Sequence, residues 1–592
     1  MKTLIIVESP GKVAKIQEIV GKNYIVLASK GHITELAKGG NFGIGVNVND
    51  NFKPKYILME DKVNVLDNLI KASKEVDQIY IASDPDREGE AIAWHLHDRL
   101  KAIDKPIKRV VFNAITKDAI KKALKNNVRD IDIDLFHSQE VRRILDRIVG
   151  FTVSPFLMNT YSTNLSAGRV QSVVTRMIID REGEIFDFKP EDYWTINVSL
   201  KNNKNESFSC KYDKKISDEK TAKDVTEKIQ SATKYVVLDV IKEQERRYPP
   251  PPLVTSTMQR IMSKQHSFDP ERTMKAAQSL YEAGIVTYIR TDSVRVEPEA
   301  IKAARDYLTN NNFKIPKKEY AYKNKNDSQD AHEAIRPSDL ELHPDNNYVV
   351  ADSDAKTLYD MIWRYFLASQ MNPALFNTLK VIIAPENDKK CVLKATGKSL
   401  EDKGYLEMLG NYNDSQIDIP DLSKGDFLVL NSKNAVKCEK KQTQPPARFS
   451  EDKLIKELEV KCIGRPATYA DILSKISNRN YVEKKGNTYY GTELGKKITD
   501  ILVKFFPFMD YNYTAELEQK LDDIADKKED YLSILHSFYN SFKEDLKKAY
   551  KSNGAKICDK CQSAMVIKKF KTSTDSFWAC TGYPRCKNLI KK

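Results

Sequence analysis

Residues 84–90 read Asp84, Pro85, Asp86, Arg87, Glu88, Gly89, Glu90, which puts four carboxylates within seven positions. Charges that close repel one another unless a cation neutralises them. Hard oxygen ligands on a loop suit Mg2+, which takes one or two carboxylates together with a substrate phosphate. Glu8 could complete such a site. An acidic turn of this kind also caps a helix N-terminus without any metal. A second constellation lies at 284–293, where Tyr288 and Arg290 stand two apart. A phenol titrates near pH 10 and needs help to attack at neutral pH. A neighbouring guanidinium can lower that pKa and bind phosphate bidentately. The chain has 28 tyrosines, and packing is the ordinary role of any one of them. A third is Cys558-x2-Cys561-x18-Cys580-x5-Cys586. Two cysteine pairs around a hairpin-length insert fit a tetrahedral Zn2+, which would be structural because four thiolates leave no open position. Phe577, Trp578 and Tyr583 lie among basic residues in this tail, a composition that suits stacking on unpaired bases.

The acidic residues need strands to hold them. Thr3 to Val7 and Ile79 to Ala82 are short apolar runs, each followed by a polar turn and a helical pattern, from Lys12 and from near Glu88. Strands alternating with helices predict an α/β domain with a largely parallel sheet. Ligands bind beyond the carboxyl ends of such strands, where Glu8 and Asp84 fall. From about 130 the pattern is helical, clearly so at 139–150 and 169–186. Residues 191–245 and 375–440 alternate and predict strands. Helices are expected at 253–283, ended by Gly284, and again at 450–550. Pro249 to Pro252 form a stiff hinge or domain entry. Two β-rich blocks around a helical insert imply one domain built from discontinuous segments. The segment carrying Tyr288 and Arg290 reads as a strand, so both would share a face. His332 and Arg336, if helical, would share one too. Gly39 to Gly45 reads as a flexible loop, and no Gly-x4-Gly-Lys-Ser/Thr sequence for ATP occurs.

Val7 to Lys12 together with Asp84 to Glu90 resembles the toprim domain of topoisomerases, primases and some nucleases. The resemblance implies that Glu8, Asp84, Asp86 and Glu88 hold Mg2+ and that Lys12 protonates the leaving oxygen. Residues 284–293 closely resemble the active-site segment of type IA DNA topoisomerases of the bacterial topoisomerase I kind. Further motifs are similar in the same order: Ser166 to Ser172, Pro251 to Thr257, 331–338 with His332, Pro445 to Phe449 and Gly464 to Tyr469. The resemblance spans about residues 2–545 and the cysteine tail. It implies that Tyr288 forms a 5′-phosphotyrosine link, that Arg290 positions the phosphate, and that His332 lies near the active site. It implies a groove for single strands, with Arg142, Arg143, Arg147, Arg169, Gln171, Arg176, Arg465 and Thr468 as candidates and Trp578 added from the tail. The expected fold is multidomain α/β and α+β: a toprim domain (1–130), a helical DNA-binding domain (131–190 with 445–550), a β-rich arch around a central hole (191–248 with 375–444), a helical domain bearing the tyrosine (249–374) and a zinc ribbon (556–592). A decatenase of the topoisomerase III kind and a non-catalytic single-strand-binding protein are the alternatives. Val7-Glu8-Ser9-Pro10 and Ile289 after the tyrosine favour the first reading over topoisomerase III.

Composition agrees with a DNA partner. The 96 Lys and Arg against 83 Asp and Glu give a net charge of +13, a surplus that matters for nucleic acid only where it clusters. Neither a leader nor the ~20-residue apolar stretch of a membrane helix is expected. The implied cofactors are Mg2+ and structural Zn2+. The implied partner is DNA, as single-stranded segments of negatively supercoiled duplex, met by a monomer in the cytoplasm at the nucleoid.

Overall fold

A computed structural model of the chain describes residues 2–38, 43–161, 163–324, 332–346, 352–410, 419–556, 558–561, 564–569, 576–580 and 586–591. Tyr583, Ala331 and the loop residues Gly39 to Phe42 lie outside them.

The N-terminal sheet has five strands in the order Tyr24–Ala28, Thr3–Val7, Gln78–Ala82, Ile107–Val110, Val128–Arg129. The first four run parallel and the last antiparallel. The interior strand Thr3–Val7 is buried along its whole length, as a strand covered on both faces must be. Its neighbour Gln78–Ala82 leads into the helix Arg87–Leu100, which Asp86 caps by accepting a hydrogen bond from the Gly89 amide at 2.8 Å. Glu8 and Asp84 therefore emerge side by side at the carboxyl edge of adjacent strands.

The two β-rich blocks join in one antiparallel sheet of seven strands. Strand Ser207–Tyr212 pairs with Leu393–Asp402 and also with Asp192–Lys201, so the sheet curls back on itself. Tyr235–Arg247 and Ala374–Pro385 pair over their full length, Tyr235 opposite Pro385 and Arg247 opposite Ala374. This ribbon leads from the curled sheet to the helices around Tyr288; at its far end Glu243 to Arg247 are exposed while Ala374 and Phe376 of the paired strand are buried. One segment expected as strand is a helix, Glu219–Ser231. Asp218 caps it by accepting from the Thr221 amide at 2.8 Å. Ala222 and Ile229, one helical face, are buried in the sheet's core.

The helical body consists of Ile133–Tyr161 and Arg169–Phe186 packed with helices of residues 451–552, which share one apolar core. A hairpin, Val482–Lys485 with Thr488–Gly491, interrupts the helices expected there. The helices Thr255–His266, Pro270–Glu282, Pro298–Asn310 and Ser353–Ala368 form a further core around Tyr288. That core continues into the sheet domain through Ile5, Val7, Ile16, Ala82 and Ile115. The tyrosine-bearing helices are thus sealed onto the sheet edge by buried apolar surface. No helix among the described residues is long and apolar enough to cross a membrane.

Candidate active site

The turn after Gln78–Ala82 is fixed from beneath. Arg109, fully buried, donates to the carbonyls of Ile81 at 3.1 Å, Val110 at 2.8 Å and Asp84 at 2.7 Å. Its Nε pairs with Glu90 at 3.0 Å, and Glu90 also accepts from Arg129 and from the Asp132 amide. A buried guanidinium with all three nitrogens engaged is a rigid brace. Gly89 lies against the same turn: a Cβ there would come within 2.1 Å of the Asp84 carbonyl oxygen. Backbone cannot swing aside as a side chain can. Gly89→Ala is therefore expected to displace Asp84 and cost about 1–3 kcal/mol, with a matching loss of catalytic rate. Thermal unfolding and steady-state assays of the variant check this.

On that turn the carboxylates face a lysine and a phenol. Lys12, 1% exposed, pairs with Asp84. The Tyr288 hydroxyl, in a side chain 2% exposed, donates to Asp86 Oδ2 at 2.5 Å. Arg290 Nη1 lies 4.0 Å from the same oxygen. His332 Nε2 sits 2.9 Å from the Pro85 carbonyl oxygen, and its ring lies 6.1 Å from that of Tyr288. Tyr288, Arg290, Lys12, Glu8, Asp84, Asp86 and His332 are thus brought together from segments far apart in sequence.

Several local expectations are corrected. Tyr288 and Arg290 are not on a strand. The segment is irregular, held by a bridge from Val286 to Pro337 and by the Tyr288 amide donating to the Asn113 carbonyl at 2.8 Å. His332 and Arg336 are not on a helix; Arg336 instead pairs with Glu333 at 2.6 Å. Arg290 lowers the phenol's pKa but does not prevail. Burial, then Asp86 and Asp84, push Tyr288 well above its ordinary pKa, and the lowering by Arg290 is the smaller effect. The four acids do not form one nest either. Glu88 turns to His32 and to Gln139 Nε2 at 2.9 Å. Glu8, Asp84 and Asp86 remain within electrostatic reach of one another.

Those three suit a hard divalent cation. Burial and the charges of Asp84 and Asp86 push Glu8 up to about 7, beyond what Lys12 and Arg290 offset. Carboxylates crowded so that one resists ionisation are a donor set that a cation would satisfy. Among the described residues, the group whose ligand atoms all lie within 4.8 Å of one another is Cys558, Cys561, Cys580 and Cys586. Their Sγ atoms stand 3.6 Å apart for Cys558 and Cys586 and 3.2 Å for Cys561 and Cys580. Four sulfurs at about 2.3 Å from a central zinc would stand nearly that far apart.

A groove of about 630 Å³ adjoins the acidic turn. Arg142, Arg143 and Arg147 line it with His32, Glu88 and Phe151. Arg147 lies 4.6 Å from the Phe151 ring centroid. Phe151, and Arg479 which also lines the groove, do not stand out in the sequence, because nothing local marks an aromatic or a lone arginine as groove-facing. Other candidates turn elsewhere. Arg169 has a fully buried side chain, paired with Asp146 at 3.0 Å and Glu518 at 2.8 Å. Arg176 donates to the Met509 carbonyl at 2.7 Å and lies over Tyr511. Arg465 pairs with Asp522 at 2.6 Å, and Asp522 also holds Arg87 of the acidic turn. Thr468 accepts from the Arg465 amide at 3.1 Å as a local cap. Gln171 is half-buried beside Gly168. Trp578 faces a small cavity shared with Phe156 and Tyr550, towards the helical body.

A family model described as DNA topoisomerase matches residues 130–536, and one described as Toprim domain matches residues 3–115. Among solved structures, full-length topoisomerase I from Thermotoga maritima is similar with a TM-score of 0.81 and 32% identity, over 100% of this chain and 97% of that one.

Proposed function

This chain belongs to the type IA DNA topoisomerases, and from that premise we propose that it relaxes negatively supercoiled DNA by cutting and resealing one strand through Tyr288. The observation that carries the reading is the Tyr288 hydroxyl on Asp86 at 2.5 Å, with Arg290 and Lys12 alongside. In this reading the Tyr288 oxygen attacks a backbone phosphorus as Asp86 takes its proton. The bond from phosphorus to the 3′ oxygen breaks. Lys12 gives that oxygen a proton, and Arg290 steadies the charge that develops on the phosphate. His332 orients the Pro85–Asp86 turn through the Pro85 carbonyl. The 5′-phosphotyrosine ester keeps the energy of the cut bond, so resealing by the freed 3′ hydroxyl needs no ATP. Glu8, Asp84 and Asp86 would hold Mg2+, whose charge would support strand alignment for resealing, and Glu88 would join them only by leaving His32 and Gln139.

The five-domain division follows from this reading: 1–130 as the toprim domain, 131–190 with 445–550 as the strand-binding body, 191–248 with 375–444 as the arch, 249–374 as the tyrosine-bearing helices and 556–592 as the zinc ribbon. Arg142, Arg143 and Arg147, with Phe151, would track a single strand by charge and stacking. Arg169, Arg176, Arg465 and Thr468 would shape that groove through the protein contacts they make. Passage of the second strand requires the tyrosine-bearing helices to part from the sheet, using the ribbon Tyr235–Arg247 and Ala374–Pro385 as the flexible link. The protein would act as a monomer in the cytoplasm.

The test is relaxation of negatively supercoiled plasmid with Mg2+ and without ATP. Relaxation that needs ATP, or none at all, contradicts the proposal. Unlinking of joined circles with poor relaxation would instead favour the topoisomerase III kind. The ribbon gives a separate expectation: about one zinc per chain. A strong zinc chelator should release it and unfold the tail while the body keeps its unfolding transition. Metal analysis with limited proteolysis checks both.

A further inference from the structure

Tyr281 lies on the helix Pro270–Glu282, seven positions before Tyr288 and on the same body. It is 0% exposed, yet its hydroxyl has no hydrogen-bond partner among the described residues. Buried tyrosine hydroxyls are normally paired, because leaving one unpaired is costly. Its surroundings are those of the acidic site. The Lys12 ammonium sits 4.7 Å from the ring centroid. The Tyr288 ring is 5.4 Å away at 69°. The carboxylates of Asp84, Glu8 and Asp86 lie within electrostatic reach of the phenol, which at neutral pH is a hydrogen-bond donor. The loop bearing Lys12 lies close against this helix: a Cβ at Gly11 would meet the Glu282 side chain.

The geometry points to Tyr281 as a positioning residue for strand cleavage, its ring seating the Lys12 ammonium and its hydroxyl held unpaired to donate to a phosphate oxygen of the incoming DNA. The inference rests on the reading of Tyr288 as nucleophile. A cation over an aromatic face is attracted electrostatically, so the ring keeps Lys12 beside the phosphate without consuming any of its three donors. Since Lys12 and Tyr281 belong to different bodies, that seat exists only when the tyrosine-bearing helices are closed on the sheet. Proton delivery is thereby confined to the closed enzyme.

The experiment uses the full chain with a single-stranded oligonucleotide and measures the rate of covalent adduct formation at saturating DNA. Wild type is compared with Tyr281→Phe, which removes only the hydroxyl, and Tyr281→Leu, which removes the ring as well. Tyr281→Phe should slow adduct formation about 10- to 100-fold, the worth of one hydrogen bond to a charged oxygen. Its affinity for the oligonucleotide and its Mg2+ midpoint should be unchanged. Its melting temperature without DNA should equal or exceed that of wild type, because an unpaired buried hydroxyl is gone. Tyr281→Leu should be slower still. A wild-type rate in the Phe variant, equal rates in the Phe and Leu variants, a shifted Mg2+ midpoint, or a slower rate accompanied by a lower melting temperature would each overturn the inference. Absence of any Tyr288-linked adduct in wild type would instead refute the reading beneath it.

Discussion

Tyr288→Phe should abolish covalent attachment to DNA and lower relaxation by at least about 10⁴-fold, while single-strand affinity stays near wild type. The side chain is almost wholly buried, and its hydroxyl is committed to Asp86. The substitution removes one oxygen and leaves the ring packed against Tyr281 and near His332. Loss of the hydrogen bond should cost about 1 kcal/mol of stability, too little to explain inactivity. A neighbouring phenol would not substitute: the Tyr281 hydroxyl has no carboxylate partner to take its proton, as Tyr288 has in Asp86. Gel assays of trapped adduct, plasmid relaxation and thermal unfolding on one preparation separate loss of chemistry from loss of fold. Residual relaxation within about tenfold of wild type would place the chemistry elsewhere.

The second large effect concerns the groove's frame. Glu518 is fully buried, 2.8 Å from Arg169 and 3.6 Å from Arg142. Burial opposes its ionisation, but Arg142, Arg169 and Arg465 outweigh that and hold its carboxyl well below the usual range. Replacing it with Gln leaves the buried Arg169 guanidinium with Asp146 alone. Breaking one side of a buried ion pair costs about 3–5 kcal/mol. Because the folded pKa is depressed, the stabilisation is present above the unfolded value near pH 4.3 and is lost as pH falls towards the folded one. Glu518→Gln should therefore be markedly less stable at pH 7, and the gap to wild type should narrow steadily below about pH 4.5. Denaturant unfolding across that range checks the sign. A gap that widens on acidification would contradict it.

The chemistry was more legible in the sequence than the geometry. Acidic residues after two β-branched runs placed Glu8 and Asp84 at a sheet edge, because strand ends are local features. Tyr288 and Arg290 were identified by their motif, but the face-sharing expected of a strand was not the reason they meet. Their segment is shaped by Asn113 and Pro337, which local spacing cannot reveal. Arg169 looked like a phosphate ligand because its partner Glu518 is hundreds of positions away. The helix Glu219–Ser231 did carry a signal, an Asp cap followed by Ala222, Val225 and Ile229 on one face, which the flanking alternation masked. The hairpin at Gly486 and Asn487 is similar: a turn pair between alternating residues, overlooked within a helical stretch. The split of Glu88 from the other three acids could not be read locally, since His32 and Gln139 decide it.

The central claim is that one phenolic oxygen exchanges with a sugar oxygen on phosphorus. The most direct measurement is to quench the enzyme on a single-stranded oligonucleotide, digest protein and DNA, and locate the modified peptide by mass spectrometry. The account predicts a nucleotide joined through its 5′ phosphate to Tyr288, with a free 3′ hydroxyl on the other fragment. A nucleotide found on any other residue, a link through a 3′ phosphate, or cleaved DNA with no attached protein would contradict it.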